Sequence, residues 1–96
     1  MITEQQKQII IETLKPYNPS FIGLFGSYAR NEETEQSDID LVYDFQSPTF
    51  SLFDVVRIKE ALLVKLNKRV DLISKNYINK HLKPFIEKDL KVLYSA

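Results

Sequence analysis

The sequence predicts an α/β fold, a small mixed β-sheet with helices packed mainly on one face. Two observations carry that expectation. Apolar runs of strand length, Phe21-Ile22-Gly23-Leu24-Phe25, Ile39–Phe45 and Val70–Ser74, are interspersed with segments whose apolar residues recur at helical spacing. The first two runs are joined by a short, hairpin-like link, which suggests a mixed sheet.

Taken in order, Thr3 with Gln6 three residues later makes a capping-box pattern. It opens a helix whose apolar positions Ile9, Ile10 and Leu14 continue to Pro16. Pro16 and Pro19 bracket a turn, and the unbroken apolar run that follows suits a buried strand. Residues 27 to about 31 are expected to form a short helix, whose N-terminal N–H groups and dipole favour phosphate. Residues 31–36 make a polar loop before the second strand, Ile39–Phe45, which Ser47-Pro48 is expected to break. Ser51 or Thr49 caps a helix running to about residue 66, amphipathic through Leu52, Val55, Val56, Ile58, Leu62, Leu63 and Leu66. The strand Val70–Ser74 comes next, then a helix over residues 77–89 disturbed at Pro84, then an extended Val92-Leu93-Tyr94. With no repeat, low-complexity tract or linker, residues 1–96 are expected to be one domain.

Composition narrows the function classes. Ninety-six residues suffice for one core but leave no separate substrate-recognition domain, so an acceptor must be recognised with little surface. Thirteen basic and thirteen acidic residues cancel, which removes the broad cationic field that drives nucleic-acid binding and argues against a polymerase role. The absence of cysteine excludes a disulfide framework, a thiolate metal site and a thiol nucleophile. The first residues lack signal-peptide features and no apolar run approaches membrane-spanning length, so a cytoplasmic location is the expectation.

The chemistry concentrates in Gly26-Ser27-Tyr28-Ala29-Arg30 and Ser37-Asp38-Ile39-Asp40-Leu41-Val42. In an extended strand alternate side chains share a face, so Asp38 and Asp40 project together while Ile39 and Leu41 point the other way. Two carboxylates held side by side raise one another's pKa unless a cation neutralises them. Magnesium suits such a pair, because it takes a few carboxylate oxygens together with substrate phosphates and waters. Gly26 permits close backbone approach to phosphate, and the Ser27 hydroxyl can donate to it. Arg30 lies about one turn beyond Ser27, which leaves two roles open: a phosphate contact, or a structural ion pair with a loop or strand acid.

The combination resembles the nucleotidyltransferase signature of the DNA polymerase beta superfamily, a Gly-Ser dipeptide followed by a spaced Asp-x-Asp. Gly26, Ser27, Ala29, Arg30, Ser37, Asp38, Asp40 and Leu41 fall where the minimal nucleotidyltransferases (MNT proteins) place theirs. The resemblance implies the polymerase-beta-like nucleotidyltransferase fold and a third carboxylate on a later strand, which Asp71 in Arg69-Val70-Asp71-Leu72-Ile73 supplies. It implies that Asp38, Asp40 and Asp71 hold magnesium, two ions in all, and that Asp71 serves the acceptor side. Gly26, Ser27 and Arg30 are then the nucleotide-binding residues. Many relatives have Gly-Glu where this chain has Asn31-Glu32, and Asn tolerates the left-handed backbone better than most residues.

The implied reaction is transfer of a nucleoside monophosphate, AMP from ATP being favoured, to a hydroxyl acceptor. Small MNT proteins are commonly paired with a helical HEPN toxin, which implies an antitoxin that modifies a tyrosine of that partner. Two alternatives stand beside it: a non-catalytic antitoxin that neutralises a partner by occlusion, and a small-molecule enzyme of the aminoglycoside-modifying type, which usually carries a further helical domain. Addition to an RNA end is disfavoured by the neutral charge balance. Oligomerisation through the helix over residues 52–66 is left open. Outside the signature, His81 reads as a surface or packing residue and Lys65, Lys68 and Arg69 as a solvated helix end. The aromatic residues read mostly as core, while Tyr28 could either pack on a base or simply fill the fold.

Overall fold

The computed structural model describes residues 2–45 and 49–96, so the expected break at Ser47-Pro48 lies outside the described residues. Helix α1 (Glu4–Leu14) and a 3-10 turn (Lys15–Tyr17) lead into β1 (Pro19–Phe25) and β2 (Ile39–Phe45). Helix α2 (Leu52–Leu66) then connects to β3 (Val70–Ser74), and a second 3-10 turn (Lys75–Tyr77) leads to α3 (Lys83–Asp89) and β4 (Lys91–Ser95). The sheet order is β3-β2-β1-β4. β1 is antiparallel to both neighbours, whereas β2 and β3 are parallel across the α2 crossover.

Local chemistry accounts for the element ends. The Thr3 N–H donates to Gln6 Oε1 at 2.9 Å and the Gln6 N–H to Thr3 Oγ1 at 3.0 Å, the reciprocal box the sequence predicts. At α2 the Ser51 N–H donates to the Asp54 carboxylate at 2.9 Å. Asn67 closes α2 in the left-handed conformation, φ 54°.

Period-two alternation divides the sheet into two faces. Ile22 and Leu24 of β1 and Ile39 and Leu41 of β2 are fully buried against Ile10 and Leu14 of α1 and Ile58 and Leu62 of α2. The short α3 covers part of the opposite face, where Gly23 lets it approach: an added Cβ would lie 2.5 Å from Leu90 Cδ1. Two helices on one face and a single short one opposite is the predicted mixed-sheet architecture.

Three local expectations change. Residues 27–31 form a hydrogen-bonded turn, not a helix: the Ala29 and Arg30 N–H groups donate to Gly26 O at 3.0 and 3.1 Å and the Glu32 N–H to Ser27 O at 2.9 Å. Asn31 at φ 59° stops propagation after that single turn. The last helix begins at Lys83 rather than near residue 77, because Pro84 lacks an N–H and clashes with the preceding turn, so it starts the helix instead of interrupting it. Asn79 organises the segment before it, its Oδ1 accepting from the His81 N–H at 2.8 Å. Among the aromatic residues, Tyr17, Tyr43, Phe45 and Phe50 do cluster at the core edge, but Phe53, Tyr77 and Phe85 are exposed. Among the described residues, no helix is long and apolar enough to cross a membrane.

Candidate functional site

The candidate site lies on the open face of the sheet, at one end of β2. In the parallel register Asp40 sits opposite Asp71, and in the antiparallel register Asp40 sits opposite Phe25, the residue before Gly26. Pairing thus brings the Gly26 turn, the second carboxylate of the Asp-x-Asp pair and the later strand's carboxylate to one place. Asp38 immediately precedes β2, and Arg69 Nε approaches its Oδ1 at 3.9 Å.

Gly26 has φ 75°, a region side chains seldom adopt, and a Cβ added there would fall on Asp40 Oδ2. The missing side chain therefore serves both the turn and the packing of the turn against the carboxylate. Ser27 follows it, half-buried, with its carbonyl used inside the turn.

Burial raises the Asp40 pKa, from 3.8 to about 6, and the charges of Asp71 and Asp38 with a hydrogen bond to Asp71 push the same way. Arg30 opposes the shift by its positive charge. Among the described residues, no group of three or more His, Cys, Asp or Glu side chains is arranged to hold a metal ion with protein atoms alone. Magnesium fits this corner nevertheless. It is commonly bound through one or two carboxylates completed by substrate phosphates, and a half-buried aspartate pressed by two others is the environment a cation relieves.

Arg30 is engaged inside the chain. Its guanidinium meets Asp89 of α3 at 2.6 Å and Glu32 at 3.0 Å, and these two contacts raise its pKa. The ion pair, one of the two roles left open for it, ties the Gly26 turn to α3. Ser37 accepts the Thr34 N–H at 2.9 Å and so caps the loop before Asp38. Tyr28 is buried in the core, and His81 is exposed. Lys65 reaches Thr13 of α1 at 3.3 Å and Lys68 the Glu35 carbonyl at 2.7 Å, so the basic cluster ties α2 to α1 and fastens the loop before β2 as well as ending a helix.

Two residues escape the sequence reading. Asp44 shares the open face with Asp40 and is held by Ser20 at 3.0 Å and Asn76 at 3.3 Å. Continuing the alternation from Asp40 would have found it. Asp89, the partner of Arg30, carries no local signal, because 59 positions separate the two.

The arrangement can place a phosphate chain against the turn after β1 and an acceptor beside Asp71. Known proteins resemble the chain in sequence and in fold. A candidate protein adenylyltransferase of Methanocaldococcus jannaschii is 45% identical over 80 residues, 82% of this chain and 81% of the relative. A solved toxin–antitoxin chain with AMP-PNP superposes with a TM-score of 0.82 at 24% identity, covering 94% of this chain and 73% of that one. A chain from the complex of a tri-AMPylated Shewanella oneidensis HEPN toxin with MNT antitoxin gives 0.77 at 22% identity, covering 99% and 74%. The last two comparisons establish the fold. The family model described as polymerase beta, nucleotidyltransferase matches residues 8–96, the span that contains the Gly26 turn and all three aspartates, and the chain therefore belongs to the polymerase beta nucleotidyltransferase family.

Proposed function

We propose that this chain transfers AMP from ATP to a tyrosine hydroxyl of a HEPN-type toxin partner and thereby acts as its antitoxin. The observation that carries the reading is the alignment of Asp40 with Asp71 across β2 and β3, beside a Gly26 turn that has no room for a side chain.

Each residue then has a separate task. The turn at Gly26 and Ser27 grips the triphosphate through backbone N–H groups and the serine hydroxyl. Asp38 and Asp40 would hold magnesium on the phosphates, and Asp71 would hold it on the acceptor side. Bound there, the metal neutralises charge on the phosphates and on the attacking and leaving oxygens. The acceptor oxygen forms its bond to the α-phosphorus, the bond to the β-phosphate oxygen breaks, and pyrophosphate leaves. Asp71 is the exposed residue of β3, where it can receive the hydroxyl proton.

The names of relatives support the acceptor class. The Methanocaldococcus relative is named for protein adenylylation, and the Shewanella complex contains a HEPN toxin bearing three AMP groups. Incubation of the chain with magnesium, each labelled ribonucleoside triphosphate and host lysate tests the reading. Label from ATP on a protein band with wild type, and none with Asp38→Asn/Asp40→Asn, is the expected result. A folded chain that labels nothing but still neutralises a partner would replace catalysis with occlusion.

A further inference from the structure

We propose that the cavity beneath α3 is the nucleoside pocket of the donor, and that Asn76 reads its base as adenine; the inference rests on the nucleotidyltransfer reading above. The cavity, of about 310 Å³, has walls from Phe21, Val42, Ile86 and Leu90, with Lys75 and Asn76 at its rim. Val42 follows Asp40 by two residues on the same face of β2, so the cavity floor lies about 7 Å along the strand from the carboxylate.

Position selects the donor over the acceptor. Phe21 pairs with Asp44 and Gly23 with Val42, so the cavity lies along β1 and β2 toward the end away from the Gly26 turn, where the nucleoside of a triphosphate gripped at that turn with its α-phosphorus beside Asp40 would extend. A second cavity, of about 220 Å³, opens on the other side, at β3 and α2, and is lined by Asp38, Asp71, Lys59 and Leu63. In-line displacement sets the acceptor opposite the leaving pyrophosphate, and this second cavity lies across Asp40 from the Gly26 turn, so it suits the acceptor and leaves the cavity beneath α3 to the nucleoside.

The walls suit a planar heterocycle. Aliphatic side chains from the sheet and from α3 face one another across the space, and Lys75 Nζ stands 4.8 Å from the Phe21 ring centroid. The volume is at the small end of ligand sites, about 300–1,000 Å³, and takes a base with its sugar rather than a larger group. Asn76 commits its Nδ2 to Asp44 Oδ1 at 3.3 Å, which leaves Oδ1 as the atom it offers to a ligand. A carbonyl there accepts from the exocyclic amino group of adenine and opposes the carbonyl that guanine carries at the equivalent position.

Calorimetry with magnesium and ATP, GTP or inorganic tripolyphosphate tests this without an acceptor. Glu87→Trp puts a bulky ring at the cavity mouth from an exposed helix position, and Asn76→Ala removes the base-reading oxygen. Wild type should bind ATP about tenfold tighter than GTP. Glu87→Trp should weaken ATP at least tenfold while leaving tripolyphosphate unchanged, and Asn76→Ala should abolish the preference for ATP over GTP. Wild-type affinity for ATP in Glu87→Trp, or a preference for ATP that survives Asn76→Ala, overturns the pocket while leaving nucleotidyl transfer standing. If wild type binds neither ATP nor tripolyphosphate, the nucleotide reading itself falls and the pocket with it.

Discussion

At Asp40, burial and two neighbouring carboxylates act in the same direction, and the sign of the result can be worked through. The folded-state pKa of about 6 lies above the ordinary 3.8, so without metal the folded chain holds this proton more tightly than the unfolded chain. That contribution to stability is complete below about pH 4 and is lost as pH rises through 6. Metal-free Asp40→Asn should therefore melt about 5 °C above wild type at pH 8, with the difference vanishing toward pH 4, as differential scanning fluorimetry would show. Magnesium should raise the wild-type melting temperature at pH 8 and do little for the Asn variant. At Gly26 the argument is steric. Gly26→Ala forces a side chain into a left-handed conformation and onto Asp40, and should lower stability by about 1–3 kcal/mol in urea titration and abolish ATP binding.

Among the elements, helix ends and buried stripes carry the stability. Thr3→Ala removes one half of the α1 capping box and should cost about 1 kcal/mol. On α2, Leu62 is 0% exposed and Phe53 is 77% exposed, although both belong to the same apolar composition. Leu62→Ala should cost about 2–5 kcal/mol, whereas Phe53→Ser should change stability by less than about 0.5 kcal/mol; urea midpoints measured together test the contrast. Capping boxes and continuous strands are legible in sequence because their interactions span three or four residues. Residues 27–31 make a turn rather than the expected helix because a chain reversal already presents N–H groups to a phosphate, and Asn31 in the left-handed conformation ends the turn too early for helical propagation. At Pro84 the same steric fact permits either a kink or a start, and the turn around Asn79 resolves it as a start.

On the scale of the whole molecule, β1 is the strand on which everything depends. It pairs with β2 on one side and β4 on the other, and delivers the Gly26 turn at its end. Deleting residues 91–96 removes the β4 ladder and the half-buried Leu93 and Tyr94 that pack on the core. A domain of this size has a net stability of only about 5–15 kcal/mol. The truncated chain should therefore lose its cooperative thermal transition by circular dichroism. Arg30 and Asp89 add a second long-range tie, between the phosphate-side turn and α3, which makes the order of the turn depend on a helix far along the chain.

The sequence by itself determined the three main strands, both long helices, the Gly-Ser turn and the pairing of Asp38 with Asp40 near one strand, because each follows from propensity, capping or alternation within a few residues. Motif resemblance singled out Asp71, but only the parallel register of β2 and β3 sets it opposite Asp40. Tertiary structure alone decided the partner of Arg30, the burial of Tyr28, the exposure of Phe53 and the cavity beneath α3. Those features depend on which surfaces meet after the chain closes. A local pattern prescribes that a face is apolar or that a charge is present, but the residue that meets it is fixed by packing between segments far apart in the chain.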